Sequence, residues 1–120
     1  MIEGRSLVIR DKRLSLAAAQ QLVSEPAYAQ LEVLDLWNNK LSAKTLAVLL
    51  KQPPPGLREL QIVENGLGLA GAERLAEVLP ALTRLERLNL LHNDLGAAGL
   101  AQILGAELVL AHAEPAQVAE

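Results

Sequence analysis

Apolar and polar positions follow one template in three stretches of the chain. LEVLDLWNNKL (31–41), LRELQIVENGL (57–67) and LERLNLLHNDL (85–95) each carry an aliphatic residue at the first, fourth, sixth and eleventh slots and asparagine at the ninth. Alternation around the fourth and sixth slots is the period of a half-buried strand. It predicts strands centred on 34–36, 60–62 and 88–90. The first slots of consecutive copies lie 26 and 28 residues apart. One period upstream, GRSLVIRDKRL (4–14) keeps Leu7, Ile9 and Leu14 in frame, with Gly4 and Lys12 at the first and ninth slots. It reads as a degenerate first copy with a strand at 7–9. Downstream, ELVLAH (107–112) echoes RLNLLH (87–92) and is a candidate partial copy.

Each strand pattern is followed by a stretch with helical period: Leu41 to Lys51, Leu67 to Leu79 and Leu95 to Leu104. QPPPG (52–56) and SEPAYAQ (24–30) break the pattern, because proline cannot continue a helix and restricts the residue before it. A strand, turn and helix of this size cannot bury its leucines alone. Stacking the units places the strands in a parallel sheet with helices opposite and leucines between. The predicted core is Leu34, Leu36, Leu41, Leu49, Leu60, Ile62, Leu67, Leu75, Leu79, Leu88, Leu90, Leu95 and Ile103. Asn39, Asn65 and Asn93 then form a structural ladder whose amides can bond the backbone of the turns. Gly71 and Gly99 are expected to allow close approach near a helix start, where Thr45 and Ala18 are larger and blur it.

This strongly resembles the leucine-rich repeat of the ribonuclease-inhibitor-like subclass. The copy LRELQIVENGLGLAGAERLAEVL matches best, and the likeness covers roughly residues 4–104. Departures are Pro26, Pro53 and Glu107 in the last apolar slot of the first, second and fourth copies. The resemblance implies an α/β solenoid, a short horseshoe arc with a parallel sheet on the concave face and short helices on the convex face. The expected organisation is a single domain over 1–112 and a tail over 113–120. IEGR at 2–5 also matches a common engineered cleavage tetrapeptide, although Arg5 fits the repeat.

Composition narrows the function. The chain has 120 residues, a formal net charge of −3 and no cysteine. A mildly acidic chain lacks the electrostatic footprint of a nucleic-acid binder. Disulfides, thiol catalysis and thiolate metal sites are excluded. No apolar run has membrane-spanning length and there is no signal-peptide pattern, so a cytoplasmic protein is expected. Serines 6, 15, 24 and 42 have no base at a fixed spacing, and NGLGLAG (65–71) is not followed by a lysine as a phosphate loop would be. No enzyme activity and no cofactor are expected. Glu64, His92 and His112 share the eighth slot if the partial copy is a strand, but a surface histidine beside a carboxylate is far commoner than a metal site.

The outward slots of the sheet carry the functional signal. The second slot reads Arg5, Glu32, Arg58, Glu86, an alternating row suited to salt bridges between strands. The seventh reads Arg10, Trp37, Val63, Leu91, and the fifth reads Val8, Asp35, Gln61, Asn89. The only tryptophan of the chain thus points away from the leucine face, in a row with two aliphatics. A contiguous apolar row on an open sheet suggests contact with something, and Trp and Arg are enriched at interface hot spots. Trp37, Val63, Leu91, Arg10, Asp35, Gln61 and Asn89 are the predicted strip for another protein. The resemblance also implies a non-catalytic binding module using its concave face. The alternative is a structural unit that self-associates, through sheet edges or the concave face, as a homodimer.

Overall fold

Residues 2–107 are described by the structure, a computed structural model of the chain. Four strands lie side by side and parallel: β2 (Ser6–Val8), β3 (Val33–Asp35), β4 (Glu59–Gln61) and β5 (Arg87–Asn89). Leu7 pairs with Leu34, Leu34 with Leu60, and Leu60 with Leu88, so the fourth slots stand in register across the sheet. The strands begin one residue before their predicted centres. The interstrand bonds nevertheless continue past their ends, with Leu36 N–H donating to Gln61 O at 2.7 Å and Asn38 N–H to Val63 O at 2.9 Å. The in–out alternation therefore persists as far as the seventh slot.

A further strand was not predicted. β1 (Ile2–Glu3) pairs antiparallel with β2, Ile2 opposite Leu7, which makes the sheet five-stranded in the order β1-β2-β3-β4-β5. The turn between them is Gly4–Arg5, with Gly4 at φ +60°. Left-handed backbone in a two-residue hairpin loop suits the twist of the flanking strands, and glycine adopts it without a Cβ penalty. The glycine that made the first slot degenerate is thus a turn residue, and the hairpin covers one edge of the parallel sheet.

The helices are α1 (Leu16–Val23), α2 (Ala43–Leu50), α3 (Gly68–Val78) and α4 (Gly96–Glu107), each packed against the next. Their starts are not blurred where Ala18 and Thr45 replace glycine. Ser15 Oγ accepts from Ala18 N–H and Ser42 Oγ accepts from Thr45 N–H, both at 3.1 Å. These are N-caps that satisfy otherwise orphaned donors. At Gly71 the expected close approach is real, since a Cβ there would lie 2.5 Å from Leu67 Cβ. α4 extends through Glu107, where the partial copy was expected to begin. The rest of that segment, 108–112, and the tail 113–120 lie outside the described residues.

Every residue of the predicted core is buried. Leu31, Leu57 and Leu85 at the first slots join them, as does Tyr28. Tyr28 sits in a short 3-10 helix, Pro26–Gln30, and its hydroxyl donates to Leu49 O at 2.6 Å. Leu49 lies in the last turn of α2, whose carbonyls lack helical partners, so the chain's one tyrosine caps that helix from the preceding unit. Burial raises the Tyr28 pKa above its ordinary range.

The turns after the strands repeat in detail. The eighth slot is left-handed in every unit, with φ +58° at Asp11, +49° at Asn38, +56° at Glu64 and +59° at His92. The tenth slot is left-handed as well, at Arg13, Lys40, Gly66 and Asp94. The eighth slot is therefore where the backbone turns, rather than a regular position of the sheet face. Between these positions the ninth-slot asparagines are buried. Asn65 Nδ2 donates to Leu36 O at 2.6 Å in the preceding unit and to Val63 O at 3.1 Å in its own. Its Oδ1 accepts from Asn39 N–H at 2.8 Å. Asn39 makes the same bonds to Ile9 O and Lys12 N–H, and Asn93 to Ile62 O and Asn65 N–H.

Three measurements test this packing. Leu60→Ala should lower the free energy of unfolding by about 2–5 kcal/mol, as for other buried large-to-small changes. Asn65→Ala should cost about 1–3 kcal/mol because it strands buried backbone groups in two units. Denaturant titration reads both, and a loss near zero would remove the residue from its assigned place. Tyr28→Phe should cost about 1 kcal/mol at neutral pH. The unfolded chain ionises its tyrosine near pH ~10, while the folded chain holds the proton to higher pH. The phenol's contribution is thus complete below pH ~10 and falls as pH rises further. Wild type should lose more stability than Tyr28→Phe between about pH 9 and pH 11, the range in which the unfolded phenol ionises.

Candidate interaction face

The register that aligns the leucines also aligns the slots on the opposite face. Trp37 and Leu91 are half-buried, whereas Val63 is only 1% exposed and yet lies outside the leucine core. The sequence placed all three outward and open. The short valine stands between two longer side chains on strands about 4.8 Å away. The indole leans across this row, and its Nε1–H donates to Gln61 Oε1 on the next strand at 3.2 Å. Val63 is thus the covered floor of the apolar row, and Trp37 and Leu91 form its accessible part.

Arg10, at the seventh slot of the first unit, lies over the other end of the row. Its Cζ is 5.1 Å from the centroid of the Trp37 ring, within cation–π range. Its Nη2 donates to Asp35 Oδ2 at 2.5 Å. The hydrogen bond to Asp35 and the charge of that carboxylate raise the Arg10 pKa further. Asp35 was expected to be exposed, but it is 4% exposed because the guanidinium and its strand neighbours cover it. Its second oxygen, Oδ1, is buried without a hydrogen-bond partner among the described residues.

Polar contacts continue across the sheet from Gln61. Gln61 Nε2 donates to Glu59 Oε2 at 2.8 Å, and Arg87 Nη1 donates to Glu59 Oε1 at 3.4 Å. A chain of side-chain contacts thus runs Arg10, Asp35 and Trp37, Gln61, Glu59, Arg87 from the first unit to the fourth. Asn89 stands apart from it: its Oδ1 accepts from Leu91 N–H at 3.2 Å and steadies its own strand end. Glu59 and Arg87 were missed, although opposite charges at paired third slots were legible. In the second slot Arg5 pairs with Glu32 at 2.9 Å and Arg58 pairs with Glu86. Arg58 holds the Glu86 carboxyl below its ordinary pKa. Exposed pairs of this kind add little stability, so they serve mainly to fix side-chain positions.

Glu64 and His92 are exposed in their left-handed turns. His112 lies outside the described residues, and among the described residues no three metal-ligating side chains cluster. No helix among them is long and apolar enough to cross a membrane.

The half-buried, hydrogen-bonded indole should emit between the wet and fully buried limits. Arg10→Ala should uncover the ring, shifting emission to the red and increasing acrylamide quenching. A water-like emission that Arg10→Ala leaves unchanged would show that the guanidinium does not cover the indole.

Comparison with known proteins finds relatives over part of the chain. The chain is 41% identical over 76 residues, 61% of its length, to "NACHT, LRR and PYD domains-containing protein 1a allele 1" of Rattus norvegicus. The figures are the same for "NACHT, LRR and PYD domains-containing protein 1 allele 2" of that organism. No family model matches the chain, and no solved structure matches it. The matched stretch spans 6% of the length of these relatives, so the similarity is to one segment of much larger proteins whose names include LRR.

Proposed function

We propose that this chain is a leucine-rich repeat module of the ribonuclease-inhibitor-like subclass, a short horseshoe arc that binds another protein through its concave sheet face without catalysing a reaction. The repeated strand–turn–helix unit and the asparagine ladder support the repeat class. The LRR in the names of the relatives supports it too. The observation that carries the binding role is the row of Trp37, Val63 and Leu91 on the open face. Its indole is fixed by Arg10 and Gln61 before any partner arrives. Fixed aromatic anchors lower the ordering cost of association. The absence of cysteine excludes disulfides from this module.

A second reading is self-association. β5 is the last strand of the sheet among the described residues, and Leu104 on the adjacent last helix is 52% exposed. A homodimer joined at this end would cover both. Light scattering across a concentration series should show a monomer under the first reading, and a dimer broken by Leu104→Lys supports the second.

The binding role is tested by titrating an identified partner. Trp37→Ala should weaken binding by about 2 kcal/mol or more, the hot-spot scale. Lys44→Ala, on the helix side, should leave it unchanged. Equal affinity for wild type and Trp37→Ala would overturn the assignment of the face.

A further inference from the structure

Asp35 is the least satisfied polar group on the open face. Its side chain is 5% exposed, and among the described residues only one of its oxygens has a donor. A buried carboxylate oxygen without a donor is costly. A carboxylate is matched best by a guanidinium that gives two parallel N–H···O bonds. Arg10 gives one, from Nη2 to Oδ2. Arg10 is itself on the surface, with its side chain 51% exposed, so it can leave Asp35 without disturbing the leucine core. Asp11, the next residue, is bonded by the neutral Asn38 amide at 2.6 Å. Glu64, the residue after Val63, is exposed and has no ion pair among the described residues.

We propose that Arg10 holds the place of an arginine supplied by a partner. A basic peptide segment docks on the open face, its guanidinium takes the position over Trp37, and it makes the paired hydrogen bonds to Asp35 Oδ1 and Oδ2. Arg10 is released toward Asp11, whose charge already acts on it. Glu64 adds negative charge beside the covered Val63. Arginine is favoured over lysine because an ammonium cannot span both oxygens in one plane. The proposal rests on the reading of this face as a partner-binding surface and specifies the chemistry of that partner.

The chain's single tryptophan reports on the site directly. The probe is the acetylated and amidated peptide Gly-Ser-Arg-Gly-Ser-Arg-Gly, with lysine and citrulline versions, titrated into the full chain at low salt. The arginine peptide should shift Trp37 emission saturably, the lysine peptide should bind about tenfold more weakly, and citrulline should give no shift. Arg10→Ala should tighten arginine-peptide binding about threefold or more, because an internal competitor is gone. Asp35→Asn, shown to be folded by its melting transition, should abolish it. If Asp35→Asn does not fold, Arg10→Ala carries the test without touching the carboxylate. A response to citrulline equal to that of arginine, no saturable response in Arg10→Ala, or undiminished binding by folded Asp35→Asn would each overturn the proposal. An identified partner that needs Trp37 but not Asp35 would overturn it too, and would leave the interaction role intact.

Discussion

The architecture depends on what a carboxamide does inside a tight turn. Each unit leaves its strand through two left-handed residues, at the eighth and tenth slots, and this points backbone groups inward where no water reaches. Asparagine at the ninth slot carries both an acceptor and two donors on a short stem. It bonds a carbonyl and an amide of the preceding unit as well as its own turn. Aspartate would lack the donors. The first unit has an exposed Lys12 at this slot, and on its outer side β2 pairs with the antiparallel β1. The same ladder that satisfies the turns therefore also joins unit to unit and fixes their register.

Fixed register is what makes a strip on the open face. Once Leu34 and Leu60 are aligned, the seventh slots of neighbouring strands must face one another, and side-chain length decides which of them is seen. Tryptophan reaches Gln61 on the next strand, arginine reaches back over the indole to Asp35, and the shorter Val63 is buried. The result is polar and apolar contact surface held in place by hydrogen bonds.

Strand and helix positions, the core and the ladder were legible because each is written as a repeated residue type at a fixed slot. Leucine at the fourth slot means the same thing four times over. The features that escaped arise from interactions that do not repeat. Ile2 and Glu3 form a strand only because Gly4 replaces a leucine and turns the chain. Ser15 and Ser42 cap helices in two units only, so no pattern drew attention to them. The left-handed eighth slot is occupied by Asp, Asn, Glu and His in turn, and glutamate does not share the preference of the other three for that conformation. The burial of Asp35 and Val63 follows from how long neighbouring side chains lean, which in–out alternation alone cannot say.

Asp35 and Arg10 occupy slots that the fold does not require to be charged: the aligned fifth and seventh slots elsewhere hold Gln61, Val63, Asn89 and Leu91. A covered ion pair is weak support for stability, since desolvation offsets much of the attraction. An apolar pair would hold the same backbone. What the charged pair adds is a carboxylate kept in a fixed place under a removable cover, beside an indole that is already oriented. The ninth slot and the leucine slots can hold the fold while the fifth and seventh vary. The strip's composition is thus free to answer to a partner, and the units beneath it are not.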